Sequence, residues 1–166
     1  AKPVDRDPNH LEGLKLSRTV LNLDEYLPAL LTQISNKWSR GSSRIFIKKF
    51  GVGINEWAVM SMLAVEPRIT ANRVSGVIGM DKAAVGRSLR DLEVKGLVLL
   101  EPNATDGRSK LITLTTAGYK MHDAIIKIAL AREKRALSSL KPNEVSELRI
   151  LLNKVRASVV EMQKEG

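Results

Sequence analysis

Leu27, Leu31, Ile34, Trp38 and Ile45 recur at i, i+4, i+7, i+11 and i+18, one apolar stripe at the helical period. The stripe predicts a long helix from Leu21 to about Lys49, ended by Gly51 and Gly53, with Pro28 kinking or starting its first turn. Residues 1–19 show no clean period and read as a loose arm or a short first helix. Beyond Gly53 the breaks come quickly. Asn55 is the expected cap of a helix over Trp57 to Val65 that Pro67 stops. Thr70 caps a second over Ala71 to Ile78, and Asp81 a third over Lys82 to Lys95, closed by Gly96. The period then drops to two. Leu97 to Leu100 and Leu111 to Leu114 read as strands of a hairpin with a long polar tip. Helical spacing returns after Thr115 in Met121, Ala124, Ile125, Ile128 and Leu137. Pro142 opens a last helix, where Val145, Leu148, Leu152, Val155, Val159 and Met162 alternate steps of three and four. That seam is too short for a coiled coil and suits a bundle.

Composition narrows the classes. With 166 residues the chain can build one domain, or a small domain plus a helical dimerisation layer. It has no Cys, so disulfide scaffolds, Cys-ligated metal sites and thiol chemistry are excluded. Apolar runs such as residues 125–131 are too short to span a bilayer, and the charged first 20 residues do not resemble a signal peptide. A cytoplasmic protein without a membrane partner is expected. The net charge is +9, from 27 Lys and Arg against 18 Asp and Glu, which attracts polyanions, nucleic acid above all.

A long helix, three short helices, a hairpin and two terminal helices are the order of a winged helix-turn-helix between dimerising outer helices. In that arrangement the second helix of the tight pair enters the major groove and the hairpin tip reaches the flanking minor groove. The expected fold is mainly α with a small β-hairpin wing (α+β). Its parts are an N-terminal arm and long dimerisation helix (1–50), a winged helix-turn-helix (51–118) and C-terminal dimerisation helices (119–166).

Three motifs stand in order here: Leu92-Glu93-Val94-Lys95-Gly96-Leu97 closing the third short helix, Asp106-Gly107-Arg108-Ser109 at the hairpin tip, and Leu114-Thr115-Thr116-Ala117-Gly118 opening the next helix. With them, residues 21–164 resemble the multiple-antibiotic-resistance regulator (MarR) family of bacterial transcription factors. The resemblance implies a homodimeric regulator, more often a repressor, on a pseudo-palindromic operator of double-stranded DNA, released by a small anionic or phenolic effector. The chain departs from the pattern at Ala84-Val85-Gly86, where relatives often carry hydroxyl residues that contact bases or phosphates.

On the helix from Asp81, Lys82, Ala83, Gly86, Arg87 and Arg90 share one side, while Val85, Leu89 and Leu92 share the other. Small Ala83 and Gly86 let the backbone approach a groove floor. The Arg87 fork suits guanine O6 and N7, and Lys82 and Arg90 suit phosphates. Thr70, Asn72, Arg73 and Ser75 on the preceding helix are candidate phosphate contacts. At the tip, Arg108 and Ser109 are the candidates, with Asp106 holding the Arg108 rotamer or capping the turn. The plainer alternative makes these solvated charges, with Arg90 paired to Asp91 or Glu93 and an ordinary Asp-Gly turn.

Five of the six aromatics lie between Tyr26 and Trp57, and the acid-free stretch from Tyr26 to Asn55 carries Lys37, Arg40, Arg44, Lys48 and Lys49. Trp38, Arg40, Arg44, Phe46, Lys48 and Trp57 are therefore candidates for a small aromatic carboxylate or an acyl-coenzyme A effector. The plainer reading makes the aromatics core and the cations solvated. No enzyme, cofactor or metal site is expected. His10 and His122 are not at metal spacing and have no obvious carboxylate partner nearby in sequence, and Gly51-Val52-Gly53 precedes no βαβ unit. Ser42-Ser43 and Ser138-Ser139 lack a nucleophile's surroundings, and His122 reads as a surface or dimer-interface residue. Two rival readings remain: a sequence-tolerant nucleoid-type DNA-binding protein without an effector, and a winged protein-interaction module that binds no DNA.

Overall fold

The computed structural model describes residues 20–164; the predicted arm at 1–19, with His10, lies outside them. Six helices and one hairpin follow in the order α1 (Leu27–Phe50), α2 (Ile54–Val65), α3 (Ala71–Ile78), α4 (Lys82–Val94), β1 (Val98–Pro102), β2 (Lys110–Leu114), α5 (Thr116–Ala136) and α6 (Pro142–Met162). This is a mainly α winged helix-turn-helix. The chain divides into two compact units, one ending at Ile45 and one starting at Phe46.

The first unit holds most of α1. A turn at Asn22, whose carbonyl accepts the Tyr26 N–H at 3.0 Å, leads into the helix. It starts at Leu27, six residues later than the stripe suggested. Pro28 occupies its second position, where an N–H would have no helical partner. Leu27, Leu31 and Ile34 lie exposed along it.

In the second unit α1 ends at Phe50, and Gly51 closes it in the left-handed region, φ +65, with its N–H on the Ile47 carbonyl. Gly53, not Asn55, caps α2. The cap works in reverse: Glu56, three residues on, accepts the Gly53 N–H at 2.5 Å, and Asn55 stays exposed. Thr70, Asp81 and Thr115 each accept the N–H three residues ahead, opening α3, α4 and α5 as predicted. Pro142 opens α6, also as predicted.

Gly96, φ +67, closes α4 with a double bond pattern: its N–H goes to the Glu93 carbonyl and that of Leu97 to the Leu92 carbonyl. Leu97 is thereby spent on the helix end. β1 accordingly starts one residue later than predicted and runs on to Pro102, while β2 starts one residue earlier, at Lys110, with Val98 opposite Leu114 and Pro102 opposite Lys110. Ile69 bridges to Ile112 on the far side of β2. Phe46, Val59, Met60, Leu63, Val74, Val85, Leu92, Ile112 and Ile125 form the core beneath the helix-turn-helix. By contrast, α6 buries no residue. Leu148, Leu152, Val155, Val159 and Met162 of its seam are all exposed.

Candidate nucleic-acid interface

The turn between α3 and α4 is built from local bonds. Gly79 takes φ +70, the Ser75 hydroxyl donates to the Met80 carbonyl at 2.6 Å, and Asp81 accepts the Ala84 N–H at 2.8 Å. Val74 from α3 and Val85, Leu89 and Leu92 from α4 are buried against the core. Lys82, Ala83, Arg87 and Arg90 are exposed on the opposite side of α4, with Gly86 between them half-buried. The expected division of faces is therefore present. No hydrogen bond or ion pair among the described residues engages the side chains of Lys82, Arg87 or Arg90, so Arg90 is not spent on Asp91 or Glu93. Arg90 lies close over its own helix, Nη1 being 3.7 Å from where a Cβ at Gly86 would stand.

The α3 candidates fare differently. Asn72 and Arg73 are exposed. The Thr70 hydroxyl accepts the Arg73 N–H, and the Ser75 hydroxyl holds the interhelical turn, so both serve the fold. Arg73 carries a partner that the chain pattern concealed: its Nη2 lies 2.9 Å and its Nε 3.1 Å from the Glu66 carboxylate. The hydrogen bond from Arg73 holds the Glu66 carboxyl below its usual range, and the same bond raises Arg73 above its own.

At the wing tip Asn103 accepts the Asp106 N–H on its carbonyl and donates from Nδ2 to the Ser109 hydroxyl at 2.9 Å. Asp106 accepts the Arg108 N–H on Oδ1 at 3.1 Å. Of its two expected roles, Asp106 thus fills the turn-capping one. The Arg108 guanidinium is exposed and engaged by no acid among the described residues. Thr70, Asn72, Leu89, Arg108 and Lys110 line a groove of about 400 Å³ that joins the start of α3, the middle of α4 and the wing. Lys110 was missed in the sequence. It opens β2, two residues beyond Arg108 in the tip turn, and only the groove reveals their common side. The tip end of the hairpin strands is tied to the α2–α3 turn by Arg68, whose Nη1 meets Glu101 Oε2 at 2.9 Å.

Of the effector candidates, Trp38, Arg40 and Arg44 belong to the first unit and Phe46, Lys48 and Trp57 to the second. Arg40, Arg44 and Lys48 are exposed; Phe46 is buried. Trp57 meets Phe46 edge-on at 5.9 Å and stacks on His122 at 5.3 Å. This corrects the surface assignment of His122, whose side chain is only 13% exposed. The carboxylate partner overlooked in the sequence is its own neighbour Asp123, 3.2 Å from Nδ1.

Comparison with known proteins agrees with this architecture. The sequence pattern of the MarR family matches residues 50–109. A MarR/EmrR family transcriptional regulator from Acinetobacter sp. ADP1 is 32% identical, with a TM-score of 0.79 over 85% of this chain and 99% of that one. The chain belongs to the MarR family of transcriptional regulators. The MarR fold is also shared with a regulator from Silicibacter pomeroyi, 22% identical at TM-score 0.74, covering 86% of this chain and 97% of that one. A third likeness is to a mutant MarR from E. coli in complex with operator DNA. It is 24% identical at TM-score 0.72, covering 83% of this chain and 99% of that one. Among the described residues no helix is long and apolar enough to cross a membrane.

Proposed function

We propose that this MarR-family chain is a sequence-specific DNA-binding repressor that acts as a homodimer on a pseudo-palindromic operator. The observation that carries the reading is the outer face of α4, where Lys82, Arg87 and Arg90 are exposed and unpaired among the described residues, around small Ala83 and Gly86. An arginine fork free of acids is fit to bond guanine O6 and N7. The operator complex of the E. coli mutant supports the same use of the shared fold. Arg108 and Lys110 supply the wing's contact, Arg108 in the minor groove and Lys110 on the backbone. Asn72 binds phosphate.

The homodimer is supported by α6, 21 residues of helix with no buried side chain and an exposed apolar seam. Such a face on a lone chain invites association, and two-fold symmetry would set two α4 helices in successive major grooves about one helical turn apart. Release by an effector, a small aromatic carboxylate or an acyl-coenzyme A, is supported by the Phe46–Trp57–His122 cluster and by the acid-free cations of α1.

Selection of duplexes from a random-sequence library tests the reading. It predicts an enriched inverted repeat bound far more tightly than unrelated duplex of the same length. Enrichment of nothing, with firm binding to every duplex, would instead support the nucleoid-type reading. That rival draws on the charge, since α4 with its caps, residues 81–96, carries four bases against three acids. Light scattering of the eluting protein at micromolar concentration should give twice the chain mass.

A further inference from the structure

The last residues of the recognition helix are fastened on two sides. Lys95, just past α4, donates from Nζ to the Gly51 carbonyl at 2.7 Å and forms an ion pair with Glu56 Oε1. Gly51 closes α1, and Glu56 stands in the first turn of α2. Glu56 is only 8% exposed, and both its oxygens are engaged, Oε2 by the Gly53 N–H. On the other side the Thr115 hydroxyl donates to the Gly96 carbonyl at 2.7 Å, and the Thr115 N–H to the Leu97 carbonyl at 3.0 Å. The ends of α1 and α4 and the starts of α2 and α5 thus meet at Lys95-Gly96-Leu97.

We infer that Lys95 is a positioning residue for sequence recognition, holding the far end of α4 at a fixed angle without touching DNA. The inference rests on the DNA-binding reading above. The near end of α4 is pinned by Asp81 and by the Ser75–Met80 bond. With Lys95 released, the helix can pivot about that near end. Arg87, eight residues before Lys95, lies about 12 Å along the helix from it, so a small rotation moves its guanidinium relative to a base pair. Base-edge bonding tolerates an error of only about 0.5 Å. Long, flexible side chains on phosphates tolerate more. Release should therefore erode discrimination before it erodes general affinity, a signature that neither a phosphate contact nor a loss of folding shares.

The experiment uses the full chain, the strongest duplex selected from a random library by the wild type, and an unrelated duplex of equal length. Lys95→Met is expected to weaken the selected duplex about tenfold and the unrelated one by less than about twofold, with an unchanged slope of log affinity against log salt. Glu56→Gln keeps an acceptor for the Gly53 N–H and leaves the Lys95–Gly51 bond but removes the ion pair, and should give a smaller loss of the same kind, on the selected duplex and not on the unrelated one. The double variant should be no worse than Lys95→Met alone, because that change already cuts the link to Glu56. Lys95→Arg should recover most of the discrimination. An equal loss on both duplexes, with the salt slope shallower by about one, would make Lys95 a phosphate contact and overturn the inference. An unchanged ratio in folded variants would overturn it too. Should Lys95→Met fail to fold by circular dichroism, Glu56→Gln decides alone. A wild type that selects no duplex removes the DNA reading itself, and this inference with it.

Discussion

Arg73 lies across Glu66, its Nε 3.1 Å and 3.2 Å from the two carboxylate oxygens and its Nη2 2.9 Å from one of them. A side chain suited to phosphate is thus already held by an acid, and DNA must compete for it. Glu66→Gln should free Arg73, tighten binding to any duplex several-fold and steepen the salt slope by about one. Gel-shift titrations at several salt concentrations would measure this. The pair also has a pH signature. Its carboxyl is held low by the Arg73 hydrogen bond, so its contribution to stability is present above the ordinary carboxylate range and lost as pH falls through the lowered native value. Any melting difference between wild type and Glu66→Gln should accordingly vanish in strong acid.

Arg108→Ala should weaken operator binding by tenfold or more, on the order of 1–3 kcal/mol for a placed guanidinium, and leave the melting temperature unchanged. The guanidinium makes no hydrogen bond or ion pair among the described residues; Asp106 caps the backbone of the turn instead. Asp106→Ala should instead act on the fold itself, loosening the tip. Fluorescence anisotropy with selected DNA and thermal melts of the free proteins separate the two effects.

Gly118→Ala should destabilise the protein by at least about 2 kcal/mol. A Cβ there would stand well inside contact distance of the Leu97 carbonyl oxygen, and that oxygen belongs to backbone already bonded to Thr115. Urea unfolding followed by circular dichroism gives the value directly.

Arg68 is the one described non-glycine residue in the left-handed region, at φ 60, and its side chain reaches Glu101. Arg68→Gly relieves about 1 kcal/mol of backbone strain and loses an exposed ion pair worth under about 1 kcal/mol. Its urea midpoint should therefore stay close to the wild type. Arg68→Ala loses the pair and keeps the strain, so it should fall about 1 kcal/mol below Arg68→Gly.

Much of the winged fold was legible because its signals are local. Asp81, Gly96, Thr115 and Pro142 act within a helical turn of themselves, and a helix end needs no distant partner to be recognised. Hydroxyls were harder. Thr70 and Ser75 look alike as phosphate ligands or as caps, and only the bonds they make separate the roles. Asn55 looked like the cap of α2, but a glycine backbone with a glutamate reaching back does the same work without a capping side chain. What remained hidden was long-range. Lys95 and Gly51 are 44 positions apart, and no periodicity links them. Trp57 and His122 meet only because α2 packs on α5. The Glu66–Arg73 pair spans the break at Pro67, where helical spacing no longer says which residues face each other.

Helix α6 leaves its seam from Leu148 to Met162 in water on the single chain, so little within that chain holds it folded. If a second copy covers the seam, chain concentration enters the folding equilibrium itself. Dilution would then unravel the C-terminal helix as well as separate the subunits. A cell making too little of this protein would hold fewer competent regulators than its chain count suggests, and occupancy of an operator would rise more steeply than in proportion to synthesis.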